Sequence, residues 1–343
     1  MDALLDRGLV PDRILRASIR RLLRQRLREE AGASESDRAA RFEAWVDACS
    51  RGPIAIETKA ANDQHYEVPA TFFETVLGPR LKYSSAYYAP GVTDLGEAED
   101  AMLAIATKRA QLRDGQSILE LGCGWGSFTL WMAEQFKDAR IVGVSNSASQ
   151  RAFILGRARE RGLRNVEIRT ADMNTFDAGE RFDRVVSVEM FEHMRNYREL
   201  MRRVSTWLSP EGRLFVHVFA HRRFAYPFDT AGASNWMGRH FFTGGQMPSL
   251  DLLPRFSEHL TAEESWWEDG THYAKTSEAW LQRLDAARDQ VIETFSTVYG
   301  RSRARAWVRR WRIFFMACAE LFAFERGAQW GVVHHRFRAS EAR

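Results

Sequence analysis

The stretch SVEMFEHMRNY, residues 187–197, sets two carboxylic acids and an imidazole, Glu189, Glu192 and His193, among Met190, Phe191 and Met194. At i, i+3 and i+4 the three share one face if the segment is helical. Apolar neighbours desolvate a carboxyl group, raise its pKa toward neutrality and suit it to take a proton from a substrate. Histidine titrates in that range already. The structural alternative is an exposed helix whose acids pair with Arg195 or Arg198. The trio follows directly on the buried-type strand RFDRVVSV, and that position favours proton-transfer chemistry.

A second set of residues offers a place for a ligand. ILELGCGWGSF carries Glu120, Gly122, Gly124 and Gly126 at the end of an apolar run. Glycines let the backbone turn sharply and approach a ligand with no Cβ in the way. Dinucleotide sites use the same device, so a lone GxG says little. Here the third glycine comes two residues after the second, and an acid closes the strand. That pattern fits S-adenosylmethionine, whose only anion is one carboxylate and which needs no pyrophosphate seat at a helix N-terminus. The next strand ends in VSNSASQ, where Ser145, Asn146 and Gln150 can bond ribose hydroxyls. The third ends in TADMNTF, where Asp172 can accept from an adenine amino group beside Met173. Val188, last in the fourth strand, completes the cofactor set. Each polar residue alone reads as a helix N-cap; three strand ends in order read as one crevice.

The elements that must position these residues alternate from residue 98 to about 220: helix, SILEL, helix, RIVGVS, helix, NVEIRTAD, FDRVVSVEM, helix, GRLFVHVF. Buried-type strands alternating with helices predict a parallel sheet covered on both faces, with ligands at the carboxyl ends of the strands. Residues 1–97 read as a helical cap and 221–343 as a helix-rich, aromatic acceptor-binding region. Within the cap, residues 11–30 carry Ile14, Leu15, Ile19, Leu22, Leu23 and Leu27 at helical spacing with arginines outside. Such a helix either caps the main domain or lies on an anionic membrane. AGASESDRAA, residues 31–40, reads as a linker before a second helix at about 37–50.

Composition narrows the class. Of 343 residues, 45% are hydrophobic and 27% charged, as in a folded soluble protein, while the 12% of aromatics suits a large core or a greasy pocket. A net charge of +4 without a nucleic-acid motif argues against nucleic-acid binding. Cys49, Cys123 and Cys318, odd in number and far apart, form neither a disulfide framework nor a zinc site, which places the chain in the cytoplasm. The N-terminus lacks a signal segment, and no apolar run reaches spanning length. His334 and His335 point apart in a strand and make a poor metal pair, so no metal is expected.

Taken together, GLVPDRILRASIRRLLRQRL, HYEVPATFFETVLGPRLKYSSAYY, SILELGCGWGSFTL, VEMFEHMRNY, FFTGGQMPS and HYAKTSEAWLQRLD make the chain resemble the cyclopropane fatty-acid synthase superfamily of S-adenosylmethionine-dependent methyltransferases, and within it the coclaurine N-methyltransferase branch. The resemblance implies an α/β class I methyltransferase fold: a mixed, mostly parallel, Rossmann-like seven-stranded sheet with a helical N-terminal cap and helical C-terminal insertions. It implies that Tyr83, Ser84 and Gly122 hold the cofactor carboxylate, Ser145, Asn146 and Gln150 the ribose, and Asp172 and Met173 the adenine. In the N-methyltransferases the cluster matching Glu189, Glu192 and His193 acts on the amine. Glu192 and His193 would orient it and take its proton, and Glu189 would attract the ammonium form. In the cyclopropane synthases a bicarbonate ion serves as base, held by residues matching Glu192, His217, Tyr273 and Cys318 and by a cysteine where this chain has Ser85. Two acceptors follow: a small cyclic or aromatic-bearing amine, or the unsaturated acyl chain of a lipid. Phe241, Phe242, Trp266, Trp267, Phe322 and Trp330 are candidates to wall the acceptor pocket. Peripheral membrane contact through residues 11–30 and a homodimer accompany these expectations.

Overall fold

The computed structural model describes residues 2–56, 68–231 and 235–340. Seven strands form one sheet: β1 (Ser117–Leu121), β2 (Arg140–Ser145), β3 (Val166–Thr170), β4 (Phe182–Val188), β5 (Leu208–His221), β6 (Leu260–Asp269) and β7 (Trp330–Ala339). Their spatial order is β3-β2-β1-β4-β5-β7-β6. The first five are parallel; β7 runs antiparallel between β5 and β6. The parallel strands are short apolar runs such as SILEL and RIVGVS, as expected where helices cover both faces. Strand order reverses between β1 and β4, so a crevice opens at their carboxyl ends, where open α/β sheets bind ligands.

Among the described residues, twelve α-helices surround the sheet: α1 (Asp2–Arg7), α2 (Asp12–Ala31), α3 (Glu35–Ala48), α4 (Ala70–Val76), α5 (Leu95–Arg109), α6 (Ser127–Gln135), α7 (Ala148–Glu160), α8 (Tyr197–Trp207), α9 (Trp236–His240), α10 (Gly270–Ala286), α11 (Arg288–Tyr299) and α12 (Arg301–Ala323). The apolar stripe of α2 is used inward: Leu15, Ile19, Leu23 and Leu27 pack on an aromatic core that includes Phe72, Phe73, Trp311 and Phe315. Arg16 and Arg20 anchor it through Glu278 and Glu320, at 2.5 to 3.0 Å. Ile14 and Leu22 of the same helix stay exposed.

Two sequence expectations need correction. The linker at 31–40 is much shorter, because Ser34 accepts from the Asp37 amide and caps α3 already at Glu35. The helix expected immediately after β4 is replaced by one 3₁₀ turn, Phe191–His193; the α-helix α8 begins at Tyr197, capped by Asn196. Among the described residues no helix is long and apolar enough to cross a membrane.

Candidate active site

Four strand ends meet at the crevice. After β1, Gly122, Gly124 and Gly126 all take positive φ, at 79°, 51° and 82°. They do different work. A Cβ on Gly122 would stand 2.6 Å from Met190, and one on Gly126 2.8 Å from Ile154, so those two glycines allow close packing. A Cβ on Gly124 would meet no atom within 4 Å and would project into the crevice itself. Gly126 does not line that crevice; it sets the start of α6. The neighbouring Ser127 hydroxyl is buried with no hydrogen-bond partner among the described residues.

One half of the crevice is lined by Gly122, Gly124, Ser145, Asn146, Gln150, Asp172, Met173, Met190 and His193. The other is lined by Tyr83, Ser84, Glu120, Gly122, Gly124, Ser127, Val188, Glu189 and Lys82. The two share the glycine turn, which gives an elongated slot with an apolar-and-amide end and a charged end. The buried Ser145 hydroxyl donates to the Gln150 side chain at 2.7 Å, and Asp172 accepts from the Asn174 amide at 2.8 Å. Glu120 accepts from the Thr129 hydroxyl; burial pushes its carboxyl up to about 7 against that bond. The slot therefore fits an adenosine with an amino-acid tail: an open glycine cradle, an orphaned hydroxyl, and amide and hydroxyl groups around an apolar end.

The acid–base trio is not arranged as a helical face. Glu189 leaves β4 with φ +48°, and the tight turn after it sends the three side chains in different directions. Glu189 lies against Lys82; His193 faces the adenosine half and stacks on Phe242 at 5.8 Å. Glu192 is buried, and its Oε2 has no hydrogen-bond partner among the described residues. Glu189 accepts from the Ser85 amide at 3.0 Å and the Tyr273 hydroxyl at 2.6 Å, and His217 Nε2 stands 3.3 Å from its Oε1. Burial pushes its carboxyl up to about 7, opposed by the Lys82 charge and by the bonds from Tyr273 and Ser85. Burial, and then the Glu189 charge, hold Glu192 well above the ordinary carboxyl range. The ring of groups expected around a bicarbonate thus closes on Glu189 rather than on Glu192, with the Cys318 thiol close enough to feel the Glu189 charge.

The aromatic candidates divide. Tyr273 and Phe322 stack at 4.2 Å beside Glu189, and Phe241 is buried in a stack with Phe314 at 4.3 Å. Trp266 lies under the guanidiniums of Arg109 and Arg336, Trp267 under that of Arg222, and the buried Trp330 donates to the Tyr226 hydroxyl. Those three are occupied elsewhere. His334 and His335 project to opposite faces, toward His217 and Ser265. Sequence reasoning missed Lys82, a buried lysine between Glu189 and Glu99; its one signal was a lone cation between apolar Leu81 and Tyr83.

Comparison with known proteins places the chain in a family. The family model described as mycolic acid cyclopropane synthetase matches residues 55–330. An (S)-coclaurine N-methyltransferase of Thalictrum flavum subsp. glaucum is 36% identical over 97% of this chain and 94% of its own length. The cyclopropane-fatty-acyl-phospholipid synthase of Escherichia coli K12 is 30% identical over 80% of this chain and 67% of its own. The crystal structure of a coclaurine N-methyltransferase bound to N-methylheliamine and S-adenosylhomocysteine superposes with a TM-score of 0.95 at 35% identity, covering 98% of both chains. The fold, the cradle at Gly124 and these relationships lead to one conclusion: the chain belongs to the mycolic acid cyclopropane synthetase family of S-adenosylmethionine-dependent methyltransferases.

Proposed function

We propose that the chain N-methylates a small amine that carries a ring. The observation that carries this reading is the place of Glu189. The Ser85 amide and the Tyr273 hydroxyl already donate to its carboxylate, with His217 alongside, so a side chain of the protein fills the cage that a bicarbonate would need. An acyl-chain alkylation that relies on that ion has lost its base. The similarity to alkaloid N-methyltransferases over almost the whole chain supports the same acceptor.

When bound, S-adenosylmethionine supplies an electrophilic methyl group on a sulfonium. Ser84, Gly122 and Tyr83, which line one half of the slot, would hold its amino-acid end; Asn146, Gln150, Asp172 and Met173, which line the other, would hold its adenosine. The rest of the task falls to the acceptor side. A protonated amine has no lone pair, so it must lose a proton before it can react. Glu189 and Glu192 are buried together and resist being charged at once, so near neutral pH the pair holds at most one negative charge, on Glu189, and in that form can take one proton. The stacked faces of Tyr273 and Phe322 add attraction for an ammonium. His193, which lines the adenosine half, would orient the nitrogen.

Purified protein with methyl-labelled S-adenosylmethionine, offered a panel of cyclic amines and anionic phospholipid vesicles, tests the proposal. Vesicles belong in the panel because Ile14 and Leu22 are exposed on an arginine-rich helix. Label should enter amines; label in lipid alone overturns the reading. Glu192→Ala should lower turnover by roughly 10²–10⁴-fold with cofactor affinity nearly unchanged.

A further inference from the structure

Across the sheet at one register stand Val188 of β4, His217 of β5, His334 of β7 and Trp266 of β6. Directly opposed residues project to the same face. There the row becomes a chain of contacts. Arg109, the last residue of α5, has Nη1 2.7 Å from His334 Nδ1 and its guanidinium over the Trp266 ring at 5.0 Å. Its Nη2 is held 2.6 Å from Glu268. His334 Nε2 stands 2.8 Å from His217 Nδ1, and His217 Nε2 faces Glu189 Oε1.

The proton positions follow from the first link. A guanidinium has donors and no acceptor, and it keeps its charge in proteins. His334 Nδ1 must therefore accept, which leaves the His334 proton on Nε2. That proton is donated to His217 Nδ1, so His217 carries its own proton on Nε2, toward Glu189. We propose that Arg109 and His334 are positioning residues that lock His217 as a hydrogen-bond donor to Glu189 and so hold Glu189 as a carboxylate, although neither of them touches it.

Without the lock, His217 can turn a lone pair toward Glu189 and favour its protonated form. With the lock, the Ser85 amide and the His217 ring can only donate to Glu189, and the Tyr273 hydroxyl donates as well. All three stabilise the anion. The other groups facing Glu189 are Lys82 from the loop before α5, Glu192 from the turn after β4 and Cys318 from α12, with Glu99 of α5 reaching it through Lys82. Both histidines are fully buried and their protonation is suppressed, as neutral links require.

The tautomer is measurable without any variant. In the full chain labelled with ¹⁵N-histidine, NMR should find His217 and His334 both neutral and protonated at Nε2; a proton on His217 Nδ1 overturns the lock. The kinetic consequence rests on the amine-methylation reading and is separable from it. His334→Gln keeps a donor for His217 and an acceptor for Arg109, so its kcat/KM–pH profile should match the unmodified enzyme. His334→Leu and Arg109→Leu should move the acidic limb upward by about one pH unit, the size of one lost charge-assisted hydrogen bond. Equal behaviour of His334→Gln and His334→Leu overturns the positioning role. A confirmed Nε2 tautomer with an unmoved limb in every variant instead removes Glu189 as the reacting base.

Discussion

A carboxyl group held near 7 by burial is half ionised close to neutral pH, and this makes Glu189 the group through which acidity should be felt. Its folded-state pKa is raised, so the charged form needed to attract and deprotonate an ammonium is lost as pH falls through about 7. The acidic limb of kcat/KM should follow one proton there. Glu189→Gln keeps an acceptor for Ser85 and Tyr273 but cannot change charge. It should lower kcat/KM by roughly 10²–10³-fold and flatten that limb; a limb that persists in the variant assigns it to another group. The acids and the imidazole were legible in the sequence, because two carboxyls and a histidine in apolar company after a strand imply proton handling. Their directions were not. A left-handed φ at Glu189 and a 3₁₀ turn are consequences of tertiary packing, and helical spacing rules do not apply to them. Arg109 and His334 were invisible for another reason: the sheet register alone brings His334 to His217, and the packing of α5 brings Arg109 to His334.

The strands and the helices between β1 and β5 could be read from their apolar periods, as could the inward stripe of α2. What the period could not show was where elements touch. Gly270 opens α10 beneath the carbonyl oxygens of Phe322 and Trp330, and a Cβ there would fall inside their van der Waals radii. Backbone on both sides cannot step aside as a flexible side chain can. Gly156, in α7, is the opposite case, since a Cβ there would find only the Arg159 tip at 4.0 Å. Gly270→Ala should therefore destabilise by about 3 kcal/mol or more, at the upper end of overpacking costs. Gly156→Ala should stabilise by about 0.5–1 kcal/mol through helix propensity and a less flexible unfolded chain. Urea unfolding of the two variants checks the pair, and matching signs would show that α10 does not dock where it is placed.

At the scale of the whole molecule, an unusual number of ionisable groups lies inside, and their signs oppose one another. Burial pushes Glu99, Glu120 and Glu189 up to about 7 and holds Glu192 well above the ordinary carboxyl range. For a carboxyl raised in the folded state, the stabilising contribution is present below the unfolded pKa of about 4.5 and is lost as pH rises through 7. Burial pushes His221 and His335 down to about 4 and holds His217 and His334 well below the ordinary imidazole range. For them stability is present above 6.5 and is lost as pH falls toward 4. Between about pH 4.5 and 6.5 the two sets offset each other. Above 6.5 the histidines are neutral folded and unfolded, and the carboxyls dominate the proton exchange on unfolding until Lys82, pushed down to about 8 by burial, begins to oppose them. Unfolding free energy of the ligand-free protein should then be nearly flat across the first window and fall from pH 6.5 to 8. Glu120 isolates the cause, because its one side-chain partner, Thr129, donates to it and can donate equally to an amide oxygen. Glu120→Gln should remove up to one proton from the slope above pH 6.5, about 1.4 kcal/mol per pH unit, and tilt the flat window between pH 4.5 and 6.5 so that stability there rises with pH. Urea titrations at pH 5, 6.5 and 8 measure both. An unaltered slope in that variant would mean that Glu120 is already ionised in the folded chain, with its charge compensated from the crevice rather than suppressed by burial.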